Sequence, residues 1–174
     1  MTKSSDPTER HWYVAYVRSC MERKAQEALT MAGYECYLPI QREVRQWSDR
    51  KKVVSRLVLP HMIFVHCTEY ERRKSTEEIR YLYRYMCSGG PYTAVIVRDE
   101  EMATFISMVE HGGRSVNISD KPLAVGDKVR VVSGPLAGCE CELVRVEGNR
   151  CLAVRLGAIG TAVMDIESDS VEKI

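Results

Sequence analysis

The run Leu57–Cys67, LVLPHMIFVHC, is the most apolar segment of the chain. It is far shorter than the roughly 18 apolar residues a helix needs to cross a bilayer. Its β-branched and aromatic content favours a strand. A short continuous apolar run of this kind suits a strand buried at the centre of a sheet, with a neighbour on each side. Pro60 has no backbone N–H and is expected at the entrance of that strand, where the missing donor does least harm. The chain must therefore supply partner strands and covering helices from the segments around this run.

Those segments are present. Trp12–Val17, WYVAYV, reads as a strand. From Glu22 to Met31, with Ala25, Ala28, Leu29 and Ala32 spaced along one face and Gly33 as a stop, the pattern predicts an amphipathic helix. Strand-forming residues return at Tyr34–Glu43, and the basic stretch Gln41–Arg56 is expected to form a hairpin arm. Thr68–Ile79 has helical composition, Tyr81–Met86 alternates as a strand, and Thr93–Val97 forms another strand after the turn Ser88-Gly89-Gly90-Pro91. Asp99 is placed to cap a helix running to about Glu110. The order β-α-β-β-α-β, with a final strand and helix, is the ferredoxin-like pattern of an α+β fold.

Residues 113–121 lack periodicity and are rich in linker residues, so two domains are expected, 8–112 and 122–174. The second reads as strands at Lys128–Val131, Glu140–Val146 and Arg150–Leu156, separated by the Gly134-Pro135-x-x-Gly138 turn and a turn at Glu147-Gly148-Asn149. Interior glycines cost a helix about 1 kcal/mol each and an interior proline about 3 kcal/mol. A small antiparallel β-module, not a helical hairpin, is the expected resting form.

Composition excludes more than it assigns. The N-terminus, Met1–Arg10, is polar and has no signal-peptide apolar region, which makes the cytoplasm the expected compartment and a membrane no partner. Seven cysteines without a C-x-x-C spacing read as reduced thiols, most of them buried. The pair Cys139 and Cys141 lacks the further ligands a structural zinc requires, so no metal or other cofactor is expected. His11, His61, His66 and His111 are scattered, and no nucleophile–base or paired-carboxylate pattern points to an enzyme. The net charge of +1 hides a local excess: between Gln41 and Arg56 stand Arg42, Arg45, Arg50, Lys51, Lys52 and Arg56 against Glu43 and Asp49.

The segments WYVAYVRSCMERKAQEAL, LVLPHMIFV and GDKVRVVSGPLAG resemble, in that order, the first strand and helix, the central strand and the KOW motif of the NusG family of transcription factors. Within the family the chain looks most like the specialised RfaH and UpxY-type paralogs. That resemblance implies a NusG N-terminal (NGN) domain followed by a small SH3-like β-barrel KOW domain. It further implies an antitermination and elongation role, promoting processive transcription of particular operons such as those for capsular polysaccharide. The implied partners are the clamp helices of the largest subunit of RNA polymerase, non-template DNA or nascent RNA, and Rho or a ribosomal protein through the KOW domain. An antagonist protein also fits the branch. A housekeeping factor acting with Rho, and a general RNA- or ribosome-associated KOW protein, stay open as alternatives.

Residue by residue, the positions matching the polymerase-contacting surface are Tyr16, Met62, Phe64 and Tyr85, which would need to be exposed apolar residues rather than core. Arg18 and Lys24 match positions near non-template DNA. The arm adds Arg45, Trp47, Arg50, Lys51, Lys52 and Arg56, combining phosphate-contacting cations with a ring on which a base could stack. The KOW partner loop is expected at Gly134, Pro135, Leu136, Gly138 and Cys139. Cys139 and Cys141 depart from the aromatic residue and glycine common in the family, which puts ribosome coupling in doubt and argues against a left-handed backbone at Cys141.

Overall fold

The computed structural model describes residues 8–166 and 171–174. Most of the polar N-terminus and four residues of the expected second domain therefore lie outside the described residues. The chain divides into two compact units: one holds residues up to Leu38 together with Leu59–Asp99, the other Pro39–Val58 together with Glu100–Ile174.

The first unit is a mixed α/β layer. Its strands are β1 (His11–Val17), β2 (Glu35–Tyr37), β5 (Met62–Cys67), β6 (Leu82–Tyr85) and β7 (Ile96–Val97); its helices are α1 (Glu22–Met31) and α2 (Glu69–Glu78). The sheet order is β2-β5-β1-β6, with β7 also pairing β1. Every pair is antiparallel. The expected helix over Glu22–Met31 and the central placement of the apolar run are both found. The run itself is shorter as a strand than its hydrophobicity predicts. Leu57 ends β4, and the chain turns before β5 begins at Met62, with Pro60 in the turn and His61 left-handed at φ 63°. Proline cannot donate to a ladder, so it stands outside the strand.

Register decides the faces of this sheet. Val14 pairs with Phe64 and Tyr16 with Met62, while Tyr13 pairs with Val65 and Ala15 with both Ile63 and Tyr85. Side chains alternate along a strand, so Trp12, Val14, Tyr16, Met62, Phe64 and His66 share one face and Tyr13, Ala15, Ile63, Val65 and Tyr85 the other. On the second face α2 packs through Ser75, whose hydroxyl lies 2.8 Å from the Tyr85 hydroxyl, and Arg72, whose guanidinium sits 5.6 Å over the Tyr13 ring and 5.4 Å over the Tyr85 ring. Burial drives the Tyr13 phenol up to about 12, with the Glu69 charge adding to it. Thr68 opens α2 with a capping box, accepting from the Glu71 N–H while the Glu71 carboxylate accepts from the Thr68 N–H.

The second unit contains a separate two-stranded ribbon, β3 (Ile40–Gln46) and β4 (Lys51–Leu57), the helix α3 (Asp99–His111, of which Asp99 falls in the first unit), and a six-stranded antiparallel sheet. Asp99 is the first residue of α3 rather than a flanking cap. The six strands are β8 (Val116–Ser119), β9 (Asp127–Val131), β10 (Glu140–Val146), β11 (Asn149–Arg155), β12 (Thr161–Asp165) and β13 (Val171–Lys173), in the order β13-β9-β10-β11-β12-β8. The three strands expected from sequence are there, and the β-rich form agrees with the glycine and proline content. Glu147 and Gly148, at φ 50° and 87°, make the two-residue turn between β10 and β11, the pair of left-handed residues that matches strand twist. Gly126 is required for a different reason: a Cβ there would stand 2.3 Å from the Leu143 carbonyl oxygen.

Two expectations need correction here. Residues 113–121 were expected to be a linker between the domains, yet Val116–Ser119 form β8 and pair with β12 from Met164 to Thr161. The segment VNIS is short and half polar, so its strand character comes from an available sheet edge and not from its own pattern. The surface expected from Tyr16, Met62, Phe64 and Tyr85 is only half exposed. Phe64 is fully buried and Tyr85 is 4% exposed, whereas Tyr16 and Met62 are partly accessible. Position along the strands decides this for one face, since Phe64 is central and the Tyr16–Met62 pair terminal, and α2 covers Tyr85 on the other; aromatic character alone reveals neither.

Phe64→Ala is accordingly expected to cost about 3–5 kcal/mol of stability. Tyr85→Phe, which removes one buried hydroxyl contact, should cost about 1 kcal/mol. Denaturant unfolding of the two variants measures both, and a Phe64→Ala protein as stable as wild type would overturn the placement of that ring in the core.

Candidate nucleic-acid interface

The β3–β4 ribbon is the basic arm. Its register runs from Ile40 opposite Leu57 to Gln46 opposite Lys51, and the Trp47 N–H donates to the Arg50 carbonyl at 2.8 Å to close the tip. Arg45 faces Lys52 across the strands, and the Lys52 ammonium lies 5.9 Å over the Trp47 ring. Trp47 is 56% exposed, and Arg45, Arg50, Lys51 and Lys52 are all exposed. The structure thus brings five of the six arm residues expected from sequence together at one solvent-facing end. A cation held over an accessible indole offers a phosphate contact beside a stacking surface. Val44 and Val53, paired and 66% and 62% exposed, lie on the ribbon's other face.

Arg56 is not part of that end. Its side chain is only 25% exposed, its Nε donates to Glu43 Oε1, and its Nη2 donates to the Val116 carbonyl at 2.7 Å and to Gln41 Oε1 at 3.3 Å. Glu43 also accepts from Ser115 Oγ at 3.2 Å and pairs with Arg45 at 3.6 Å. Burial by itself pushes the Glu43 carboxyl up, but the hydrogen bond and charge of Arg56, with Ser115 and Arg45 behind them, outweigh it and hold the group below its ordinary range. An Arg in a basic stretch looks the same in sequence whether it faces solvent or a carboxylate, so its role at the base of the arm was not legible.

A second group of cations belongs to the first unit. Arg18, just past β1, donates from Nε to the Arg80 carbonyl at 3.2 Å, and the Arg18 N–H bonds the Tyr81 carbonyl at 3.1 Å. Arg80 lies 4.8 Å over the Tyr81 ring and bonds its hydroxyl at 2.8 Å; Arg84 lies 5.0 Å over the Tyr16 ring, its cross-strand partner. Three guanidiniums and two tyrosines therefore meet at one end of this sheet, and Tyr16, expected as a protein contact, is the platform for one of them. Lys24 is exposed on α1. Arg80 and Arg84 were missed from sequence, although the interleaved IRYLYRY is the signal that could have found them.

In the β-rich part, the loop between β9 and β10 carries Gly134 at φ 84° and Gly138 at φ 92°, and the Gly138 N–H returns to the Val131 carbonyl at 2.8 Å. Gly134 and Pro135 are exposed and Cys139 is half-buried, but Leu136 is 6% exposed and anchors the loop from beneath. Cys141 stands within β10 without a left-handed backbone, as its side chain requires. Burial raises its thiol to about 12. Among the described residues no three metal-ligating side chains cluster, and no helix is long and apolar enough to cross a membrane.

Comparison with known families decides the classification. The model of the NusG family, described as transcription termination factor nusG, matches residues 10–106, more than half of the chain. The chain belongs to the NusG family. Members of the NusG family are transcription factors. Among solved structures, one described as domain interaction in Thermotoga maritima NusG aligns at 21% identity over 95% of this chain and 98% of its own, with a TM-score of 0.45. The MjSpt4:Spt5 complex aligns in conformation A at 11% identity over 94% and 97%, with a TM-score of 0.29, and in conformation B at 12% identity over 91% and 99%, with a TM-score of 0.30. No curated protein matches the chain. The NusG match takes in the whole arm, the Arg18–Arg80–Arg84 group and both partly exposed sheet residues, Tyr16 and Met62.

The lowered Glu43 pKa fixes the pH response of the arm's base. A carboxylate whose pKa falls on folding stabilises fully above its unfolded value, about 4.3, and that contribution is lost as pH drops through the lower folded value. The amide resonances of Ser115 and Val116 should therefore hold steady from neutral pH to below the usual carboxylate range and shift only there. In Glu43→Gln that acid transition should be absent.

Proposed function

We propose that this NusG-family protein is a transcription elongation factor that binds RNA polymerase and touches the nucleic acid of the transcribing complex. The single observation that carries the reading is the family match over a segment that presents Arg45, Trp47, Arg50, Lys51 and Lys52 to solvent. The strand order β2-β5-β1-β6 with α1 and α2 on one face supports a ferredoxin-like NGN domain, and the six-stranded antiparallel sheet after residue 115 supports an SH3-like KOW domain. Residues 8–112 and 122–174 remain the proposed domains, with β8 contributed by the segment between them.

On this reading Tyr16 and Met62 belong to the polymerase-contacting surface, while Phe64 and Tyr85 support it from the interior. The clamp helices of the largest subunit are the proposed polymerase site. Arg18, Lys24, Arg80 and Arg84 form one proposed contact with non-template DNA or nascent RNA, and the arm tip forms another of its own. Exposed cations release counterions when they meet phosphates, and unpaired strands leave bases free to stack on Trp47. The exposed Gly134-Pro135 turn with Cys139 is the proposed contact for Rho, a ribosomal protein or an antagonist. The resemblance to the specialised branch supports action on particular operons, capsular polysaccharide operons among them. The family model's own description as a termination factor favours the second reading, a general factor acting with Rho.

Replacing Arg50, Lys51 and Lys52 together with Ala should weaken binding to single-stranded DNA and lower the slope of log affinity against log salt by about two. An unchanged slope removes the arm tip from the nucleic-acid surface. Transcript mapping in a deletion strain separates the two biological readings: loss of distal transcription in one or a few operons supports the specialised role, and altered termination across the genome supports the general one.

A further inference from the structure

The arm is an unusual element to find well defined. An isolated two-stranded ribbon is marginal in water, since it exposes both faces and has no third strand. Apart from bonds that stay within the arm itself, the hydrogen bonds described for the β3–β4 side chains converge on three successive residues, Arg114, Ser115 and Val116. The Gln41 amide makes the central contact: its Nε2 donates to the Arg114 carbonyl at 2.7 Å, and its Oε1 accepts from the Val116 N–H at 2.9 Å. One side-chain amide therefore satisfies a carbonyl and an N–H two residues apart, as a neighbouring strand would. Arg56 then takes the Val116 carbonyl, and Ser115 bonds Glu43.

Val116 is fully buried and opens β8, an outer strand of the six-stranded sheet, paired there with Met164. Backbone groups on an outer strand need either water or a cover. Here the cover is Gln41, itself 6% exposed, with Arg56 beside it. Just upstream, a Cβ at Gly112 would fall 2.5 Å from the Met164 sulfur, so the chain leaving α3 is pressed onto β12, the strand that β8 pairs with. The arm, the 112–116 segment and the six-stranded sheet thus form one continuous set of contacts within the second unit.

We infer that Gln41 and Arg56 are positioning residues: they lock the basic arm to the outer edge of the C-terminal sheet, so that the direction of the arm tip is set by that sheet. This rests on the proposed nucleic-acid role of the tip for its biological meaning, but not for its physical test. The hydrogen bonds described for the two side chains run to the backbone of Arg114 and Val116, to each other and to Glu43, so each acts through the 114–116 segment. Substitution by a side chain of similar size without the amide, Gln41→Leu, removes the acceptor of the buried Val116 N–H and the donor to the Arg114 carbonyl while the basic tip is untouched.

The test is residual dipolar couplings on the full-length, ¹⁵N-labelled chain. In the wild type, amides of β3–β4 and of β9–β12 should fit one alignment tensor. In Gln41→Leu they should need two, and the Val116 amide should exchange with solvent about tenfold faster, the factor expected for one buried hydrogen bond. One shared tensor with unchanged Val116 protection in the variant overturns the inference. If Gln41→Leu loses cooperative unfolding, Gln41→Glu, which keeps the acceptor for Val116 and removes the donor to Arg114, is read in the same way and decides. A binding assay adds a readout that loss of stability alone would not give: affinity for a free single-stranded oligonucleotide should stay at the wild-type level while affinity for an assembled elongation complex falls. Equal losses on both would overturn the positioning role. A wild type that binds neither would instead sink the nucleic-acid reading and leave the coupling result standing.

Discussion

The antiparallel pairing of β1 with β5 is the constraint on which the first unit depends. Six register pairs, from His11 opposite Cys67 to Tyr16 opposite Met62, assign every side chain of both strands to one of two faces. A slip of one residue would exchange those faces and turn Val14 and Phe64 toward α1 and α2. With the register fixed, β6 takes the other edge of β1 so that Tyr85 lies opposite Ala15 and beneath α2, and the bulge between Tyr16 and Val17 shifts the remaining pairs. Arg84 is thereby set opposite Tyr16, close enough to stack on its ring. The Arg84–Tyr16 stack is a consequence of strand register, whereas Arg80 on Tyr81 is a contact between neighbours in the chain.

The second unit solves a different problem. A ribbon carrying Arg42, Arg45, Arg50, Lys51 and Lys52 repels itself and has little apolar surface to bury. Its tip is left to solvent, and its base is stabilised by neutralising one cation, Arg56, with Glu43 and by hydrogen-bonding the pair to Ser115 and Val116. The division of labour along a few residues is clear in exposure: Gln41 is buried, Glu43 and Arg56 are half-buried, and everything from Val44 to Val53 is exposed. In the six-stranded sheet, β11 carries the core, with four consecutive buried residues from Cys151 to Val154. The Glu142–Arg155 pair, two hydrogen bonds at 2.9 Å, ties β10 to β11 at the rim beside Gly126.

For a factor of the NusG family, this arrangement separates groups that must be ordered from groups that must be free. Aromatic residues in the sheet interior hold the strands in place, and accessible ones, Trp47 at the arm tip and Tyr16 at the sheet end, each carry a cation on the ring. Stacking a cation on an aromatic ring restricts its motion without neutralising it, which suits the proposed contact with phosphates.

The sequence by itself determined the type of the elements it named and the bounds of the helices, while β8, β12 and β13 were not among them and the strands Leu57–Cys67 and Thr93–Val97 came out shorter. Periodicity fixed α1, composition fixed β1 and the central strand, and glycine with proline excluded helix from the C-terminal part, because these depend on properties each residue carries locally. It also located the basic arm, since charge density needs no fold to be seen. Tertiary structure alone decided which of these residues are reachable. Tyr85 lies beneath α2 on one face; on the other, Phe64 sits in the middle of the β1–β5 register and is buried, while Tyr16 and Met62, paired at its end, stay partly accessible. Arg56 became a structural group while its neighbours stayed free because Glu43 and Val116 lie within its reach. Residues 116–119 became a strand because the edge of β12 offered hydrogen bonds that an otherwise featureless segment could take. Each of these outcomes turns on contacts between residues far apart in the chain, and no local pattern records such contacts.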